Sequence, residues 1–227
     1  MNDPIVDITT KITIYTQVIV ASATIGSLTF TLADKDLILK DILTLQVIVE
    51  TIEFLWYYYV IQKLHQNDMA KNRYYEWAIT TPIMLINIYS YLLYEEQLEK
   101  FPNNPPIRLE TTLKNHTDAI TQIILSNFWM LSIGYLYEIG QVSAKVAFVY
   151  GFVFLLNTFN IIYKNAGSKS KKGKQIYSIV FFIWSLYGVA FILPTGIKNS
   201  IFNIIDLFSK NFFKLYISIL AFSKKIK

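Results

Sequence analysis

The sequence predicts an all-α fold, a seven-transmembrane helix bundle, and three observations support this prediction. The 227 residues are 53% hydrophobic and 16% charged, and the mean hydropathy is +0.37. Soluble domains carry about 25% charged residues, so this composition departs toward that of membrane proteins. A membrane helix needs about 20 mostly apolar residues, and seven stretches of this kind leave only short loops between them. The seven predicted spans are 12–32, 42–63, 74–94, 119–139, 146–163, 176–193 and 201–222.

One integral membrane domain over residues 1–227 accounts for all seven spans. A soluble helical bundle is the alternative, but apolar residues surround these helices instead of forming one stripe along each of them. The absence of cysteine excludes disulfides, a thiolate zinc site and a cysteine nucleophile. The net charge of +5 is carried by the loops and not by a folded basic face, so we expect no nucleic-acid partner. The sequence has only two histidines, His65 and His116, so we expect no metal site, and we also expect no enzymatic activity.

Lysine and arginine in the loops predict the orientation, because these residues accumulate on the cytoplasmic side. The loop after span three, the segment 164–174 after span five and the C-terminal tail are all basic, and 164–174 is predicted to be a flexible loop. The opposite side carries fewer basic residues in its loops, among them Lys71, Lys145 and Lys198. We therefore predict an N-terminus outside the cell and a C-terminus in the cytoplasm.

Span two carries a polar stripe. Gln46, Glu50, Glu53 and Tyr57 follow one another at steps of four, three and four residues, which places all of them on one helix face. A polar stripe in a membrane helix is expected to face the bundle interior or a water-filled path. The alternative is a seam of hydrogen bonds between helices.

Spans three and seven carry ionisable residues, which are costly inside a membrane and usually functional. Arg73 and Glu76 lie three residues apart in span three, and Thr80 follows one turn later on the same face. Asp206 and Lys210 lie four residues apart in span seven, where a carboxylate can neutralise an amine. A structural ion pair that only orients the helix is the alternative for span seven.

The sequence resembles the microbial (type 1) rhodopsins in four of the seven spans. Residues 73–82, Arg-Tyr-Tyr-Glu-Trp-Ala-Ile-Thr-Thr-Pro, are similar to the third helix of that family, which carries an arginine, a counterion, a tryptophan and Thr-Thr-Pro. Asp206 and Lys210 resemble its second counterion and its retinal-linking lysine. The sixth-helix pattern Trp-x-x-Tyr is matched by residues 184–187, and residues 127, 130 and 134 fit the fourth helix. The short loops and the glutamate-rich second helix are most similar to rhodopsins of large algal viruses, whose first group are light-gated cation channels.

The resemblance implies an all-trans retinal cofactor, bound to Lys210 as a protonated Schiff base. The counterion set that it implies is Glu76 and Asp206, with Arg73 keeping these carboxylates ionised and Thr80 able to hydrogen-bond Glu76. Aromatic side chains at helical spacing are otherwise ordinary packing, so the pocket rests on the lysine and its carboxylates. The pocket residues that the resemblance implies are Trp77, Thr80, Thr81, Met130, Gly134, Phe148, Gly151, Trp184, Tyr187 and Phe191.

Three functions share this fold: channel, pump and photosensor. The family's cytoplasmic proton donor corresponds to Asn87, which is not an acid, and a proton-release position corresponds to Lys198; both departures disfavour a fast pump. We expect a light-gated channel for monovalent cations, protons among them, with acidic groups favouring cations. The expected ion path is Gln46, Glu50, Glu53, Tyr57 and Asn87, and Glu53→Gln is expected to leave the visible spectrum nearly intact.

A slow outward proton pump, an anion channel and a photosensor stay open as alternatives. The lipid bilayer is the expected partner, and the expected location is the host cell membrane if the protein is viral. A homo-oligomer also stays open.

Overall fold

The structure is a computed structural model that describes residues 3–63 and 66–226, and this part of the chain is helical throughout except for short turns and one isolated bridge. The helices are α1 (Pro4–Leu28), α2 (Leu37–Lys63), α3 (Gln66–Lys100), α4 (Leu109–Asn115), α5 (Thr117–Glu138), α6 (Ala144–Ile162), α7 (Lys171–Phe191), α8 (Thr195–Asp206) and α9 (Phe213–Lys224). A π-helical turn, Leu207–Phe212, joins α8 and α9 into one continuous segment, which we call the seventh segment.

Seven long segments form the bundle, and α4 is a short helix in the connection between α3 and α5. Neighbours in the chain pack against each other, and α8 and α9 pack against α1, which closes the ring. The third helix, α3, lies at the centre, because it contacts α2, α5, α7 and α8. The predicted seven-helix bundle is therefore confirmed.

The two ends of the bundle are defined by contacts between its termini. Asp3 lies beside the start of α8, since a Cβ atom added to Gly196 would come 2.7 Å from the Asp3 Oδ2 atom. We call this end the N-side. At the other end, the backbone N–H of Ile226 donates to the carbonyl of Thr31 at 2.9 Å, so the end of α9 meets the turn after α1. We call that end the C-side.

The bundle has an apolar exterior and an unusually polar interior. Large apolar side chains such as Ile19 and Phe182 are more than 60% exposed, whereas Gln17, Glu53 and Arg73 are fully buried. This distribution suits a protein surrounded by lipid, in which polar groups are retained only inside.

By length and composition alone, three helices of the described chain are apolar enough to cross a membrane: Thr117–Glu138, Ala144–Gly167 and Lys171–Phe191. The other long segments contain the buried polar and ionisable residues, which lower their mean hydropathy. Their side chains are hidden within the bundle, so a window average underestimates how apolar their outer faces are.

Most helices extend beyond the predicted spans. For example, α3 begins eight residues before the predicted position 74 and continues six residues past position 94. The prediction of a flexible loop over 164–174 is wrong for most of that segment. A π-helical turn covers Tyr163–Gly167, and α7 already begins at Lys171, where the Ser170 hydroxyl accepts a hydrogen bond from the backbone N–H of Gly173 at 2.9 Å. This N-cap explains why the helix starts within the basic segment.

Candidate functional site

Lys210 lies at the centre of the candidate site. Its side chain is 2% exposed, and three carboxylates surround its Nζ atom. The distances are 3.0 Å to the Glu76 Oε1 atom, 3.4 Å to the Glu53 Oε1 atom and 3.6 Å to the Asp206 Oδ1 atom. A buried amine needs such negative partners, because an unpaired charge is very costly away from water. Three helices, α2, α3 and the seventh segment, each supply one carboxylate.

Asp206 is held by more groups than any other carboxylate of the site. Its Oδ2 atom accepts hydrogen bonds from Arg73 at 2.6 Å and from the Tyr57 hydroxyl at 2.7 Å. Its Oδ1 atom accepts one from the Tyr187 hydroxyl at 2.5 Å. Arg73 also donates to the Asn203 Oδ1 atom at 2.7 Å. Arg73 therefore pairs directly with Asp206, and this charged hydrogen-bond network fixes the α8 end of the site.

Glu76 has a different environment. It accepts a hydrogen bond from the Thr80 hydroxyl at 2.7 Å, and both of its oxygens lie within 3.2 Å of the Lys210 Nζ atom. Thr80 thus points to Glu76, one turn away on α3, and does not line the cavity described below.

The polar stripe of α2 faces the interior along its whole length. Tyr57 reaches Asp206, Glu53 reaches Lys210, and the Glu50 Oε1 atom lies 3.3 Å from the Lys214 Nζ atom. The four–three–four spacing thus places successive side chains against successive residues of the seventh segment. Asn87, on α3, is fully buried and forms no hydrogen bond with this stripe in the described chain.

Lys214 was missed by the sequence analysis, which named Lys210 alone among the lysines of span seven. Lys214 is fully buried in α9, and its partner Glu50 belongs to a distant part of the sequence. The available signal was its position four residues after Lys210, on the same helix face. Lys198 is also buried and pairs with Glu138 at 2.6 Å on the N-side.

Many buried polar atoms between α1, α2 and the seventh segment have no hydrogen-bond partner among the described residues. We call this region the polar seam. The buried atoms without partners belong to Gln17, Gln46, Glu50, Glu53, Asn211, Lys214 and Ser218. Lys210, which donates to Glu76, borders the seam. An unpaired buried polar group costs on the order of 1–3 kcal/mol, whereas buried water satisfies such groups. The seam therefore has the composition of a hydrated path.

An apolar cavity lies on the other side of Lys210, between α3, α5, α6, α7 and the seventh segment. It contains about 770 Å³ of empty space, including its opening. Ten of the eleven side chains that the resemblance assigns to retinal line it, and Thr80 is the exception. The ten are Lys210, Trp77, Thr81, Met130, Gly134, Phe148, Gly151, Trp184, Tyr187 and Phe191.

Other lining residues were not identified from the sequence. These are Tyr74, Met84, Leu131, Ala147, Phe152, Leu155, Gly188, Phe202 and Ser209. Most are ordinary apolar residues whose position in the cavity depends on helix rotation, and neither residue type nor spacing distinguishes them from core residues.

The family profile described as "Bacteriorhodopsin-like protein" matches residues 9–223, nearly the whole chain. The chain belongs to the bacteriorhodopsin-like family. This rhodopsin is therefore an integral membrane protein with several spans, and its family implies a retinal chromophore. Members of the family are photoreceptors, ion pumps or channels rather than enzymes.

Solved structures share the fold of this rhodopsin. The crystal structure of the viral rhodopsin OLPVRII superposes with a TM-score of 0.81 at 23% identity, covering 97% of this chain and 99% of that chain. The blue light-absorbing proteorhodopsin from Med12 superposes with a TM-score of 0.70 at 18% identity, covering 97% of this chain and 98% of that chain. The light-driven proton pump of Coccomyxa subellipsoidea superposes with a TM-score of 0.67 at 16% identity, covering 96% of this chain and 98% of that chain. No curated protein sequence matches the chain.

The cavity fits a retinal molecule in chemistry and position. Its lining is apolar and aromatic, and Lys210 is the amine that borders it among the described residues. An apolar cavity that ends at a buried, carboxylate-paired amine suits a long apolar aldehyde.

Proposed function

We propose that this rhodopsin is a retinal photoreceptor that acts as a light-gated ion channel and favours cations. The observation that carries the proposal is the polar seam, which runs beside Lys210 between α1, α2 and the seventh segment. The likeness to solved structures supports the fold alone, since that fold serves pumps as well as other functions.

In this proposal Lys210 holds all-trans retinal covalently, and the nine other predicted residues that line the cavity enclose it. Retinal, when bound, supplies light absorption and a change of shape. Glu76, Asp206 and Glu53 keep a positive charge stable at the Lys210 nitrogen, and Arg73 holds Asp206 in place. Trp77 and Trp184 both line the cavity, where they would restrict the chromophore to one orientation.

The seam suits conduction for two reasons. Its unpaired buried groups favour water, which an ion path requires. Its Glu50 and Glu53 carboxylates favour cations over anions, as acidic groups in channels do. Light would shift the balance between a closed and an open seam, because Lys210 borders both the cavity and the seam.

We also propose one domain over 1–227, embedded in a lipid bilayer with the N-side outside and the C-side in the cytoplasm. The C-side carries Arg108, Lys114 and the basic start of α7, whereas the N-side carries few basic residues. This asymmetry supports the orientation. Location in a host cell membrane remains a prediction, as does assembly into a homo-oligomer.

A slow outward proton pump is the second candidate. Glu76 lies 3.0 Å from the Lys210 Nζ atom, which is the geometry of a proton acceptor. Asn87 still argues against fast pumping, because its amide does not supply a proton as an acid does.

The test is a light-evoked current recorded across a range of voltages, with external sodium or potassium then replaced by a large organic cation. A channel gives a current that reverses sign and whose reversal potential moves with the replaced ion. A current that stays outward at all voltages and ignores both ions would replace the channel with the pump. Lys210→Ala protein in the same membrane controls for light-induced heating and leak.

A further inference from the structure

The second buried lysine of the seventh segment lies within the polar seam. Lys214 is fully buried, its Nζ atom lies 3.3 Å from the Glu50 Oε1 atom, and Glu50 is 4% exposed. Both residues lie on the C-side of the Lys210 cluster, because α9 continues from Lys210 toward the C-side and α2 starts there. The pair has no role in the chromophore site, since neither residue lines the cavity.

The pair is held by charge and not by well-formed hydrogen bonds. In the described chain, the Lys214 Nζ atom and both Glu50 oxygens lack a partner in hydrogen-bond geometry. Nearby seam residues Gln46, Asn211 and Ser218 also contain buried atoms without partners. Two opposite charges joined by one contact can separate at lower cost than a buried pair that is also fixed by hydrogen bonds.

The position of Lys214 has a direct consequence for conduction. A cation that moves through the seam between Lys210 and the C-side must pass a fixed ammonium group, which repels it. Glu50 offsets this repulsion, because its carboxylate lies on the facing helix at the same level of the path. Charge in a confined path controls which ions pass, so the two members of the pair act on cations in opposite directions.

We propose that the Glu50–Lys214 ion pair is the charge-selective gate of the seam, with Lys214 as the residue that limits cation flow. The proposal rests on the proposed channel function. The pair closes the C-side of the seam in the dark, and its separation opens the seam. Glu50 then attracts cations, and Lys214 sets how strongly cations are preferred over anions.

The experiment compares Lys214→Met with Glu50→Gln by recording light-evoked currents under a sodium chloride gradient. Lys214→Met leaves an unpaired carboxylate and is expected to raise the cation-to-anion permeability ratio by about tenfold, because nearby unit charges interact strongly in partly buried sites. Glu50→Gln leaves an unpaired ammonium and is expected to lower the ratio by a similar factor. A purely structural pair predicts no such opposite shifts.

The chain offers a matched control pair. Lys198 and Glu138 form another buried ion pair, at 2.6 Å, but it joins α8 to the end of α5 on the N-side, away from the seam. Lys198→Met and Glu138→Gln are expected to leave the permeability ratio unchanged. Visible absorbance checks that every variant has folded around retinal.

The outcomes separate the gate from the channel. The gate is supported if Lys214→Met and Glu50→Gln shift the permeability ratio in opposite directions and the two control variants leave it unchanged. If the wild-type current reverses but the two seam variants shift the permeability ratio in the same direction, or do not shift it, the gate is overturned and the channel function stands. A wild-type current that does not reverse overturns the channel, and the gate with it.

A double variant covers the case in which a single unpaired charge prevents folding. Glu50→Gln with Lys214→Met removes both charges at once and leaves no buried ion unpaired. The double variant is expected to give a larger current than the wild type, with the wild-type permeability ratio. A double variant with wild-type current contradicts the gate.

Discussion

At the scale of single residues, three carboxylates share one buried amine, and only two of them were predictable as its partners. The spacing of Asp206 and Lys210 and the motif around Glu76 predicted that both carboxylates lie beside the lysine. Glu53 was predicted to line an ion path, yet it lies 3.4 Å from the Lys210 Nζ atom. Its distance from Lys210 depends on how α2 is rotated and shifted against the seventh segment. That register is a tertiary property that a stripe on one helix does not determine.

Glu76→Gln removes a negative charge 3.0 Å from the Lys210 nitrogen. We expect the visible absorption maximum to move to longer wavelength, because the carboxylate stabilises positive charge at the nitrogen and its loss narrows the gap to the excited state. Thr80→Val is the matched control, since it removes only the hydrogen bond to Glu76 and should give a smaller shift. An unchanged Glu76→Gln spectrum would assign the counterion role to Asp206 or Glu53.

Glu53→Gln is expected to move the absorption maximum in the same direction, by less than Glu76→Gln does. This replaces the sequence-based expectation of a nearly intact spectrum, because the structure places the Glu53 carboxylate beside the Lys210 nitrogen. Glu50→Gln is the control. Because Glu50 pairs with Lys214 and not with Lys210, the absorption maximum of this variant should equal that of the wild type. Equal spectra for the wild type and Glu53→Gln would show that Glu53 acts on ions only.

At the scale of helices, apolar length located the seven segments, but helix ends and irregular turns were less predictable. Amphipathic ends outside the apolar spans still form helix, as the extension of α3 to Gln66 and Lys100 shows. The π-helical turn Leu207–Phe212 has no clear sequence signal. Such turns occur often at functional sites, and this one contains Lys210.

Packing between α3 and α5 gives a prediction about stability. A Cβ atom on Gly134 would lie 2.5 Å from the Tyr74 hydroxyl oxygen, and Tyr74 is itself confined against Trp77. Gly134→Ala is therefore expected to destabilise the protein by about 1–3 kcal/mol, the usual cost of overpacking. Thermal unfolding in detergent measures the effect.

Gly151→Ala is the matched control for that substitution. Its added Cβ would meet only the Ile133 side chain, at 3.9 Å, which is ordinary contact. We expect a change within about 1 kcal/mol, toward greater stability, because alanine is the better helix former. Equal destabilisation of both variants would contradict the contact between α3 and α5.

At the scale of the whole molecule, composition and the seven apolar spans were sufficient to predict the bundle. The interior could be predicted only in part. Residues with a distinctive motif, such as Trp184 and Tyr187, line the cavity and had been assigned to retinal by resemblance, whereas Lys214 and Phe202 were not found. Their positions follow from how the seventh segment packs against α2, α3 and α7, and no local pattern describes that packing.

The central claim is that Lys210 holds a retinal chromophore, and visible absorbance after addition of all-trans retinal tests it most directly. Lys214→Ala is the matched control, because this second buried lysine lies one turn away but outside the cavity. We predict that Lys210→Ala protein has no visible band and that Lys214→Ala protein keeps one. A Lys210→Ala protein that still binds retinal covalently and absorbs visible light would contradict the account.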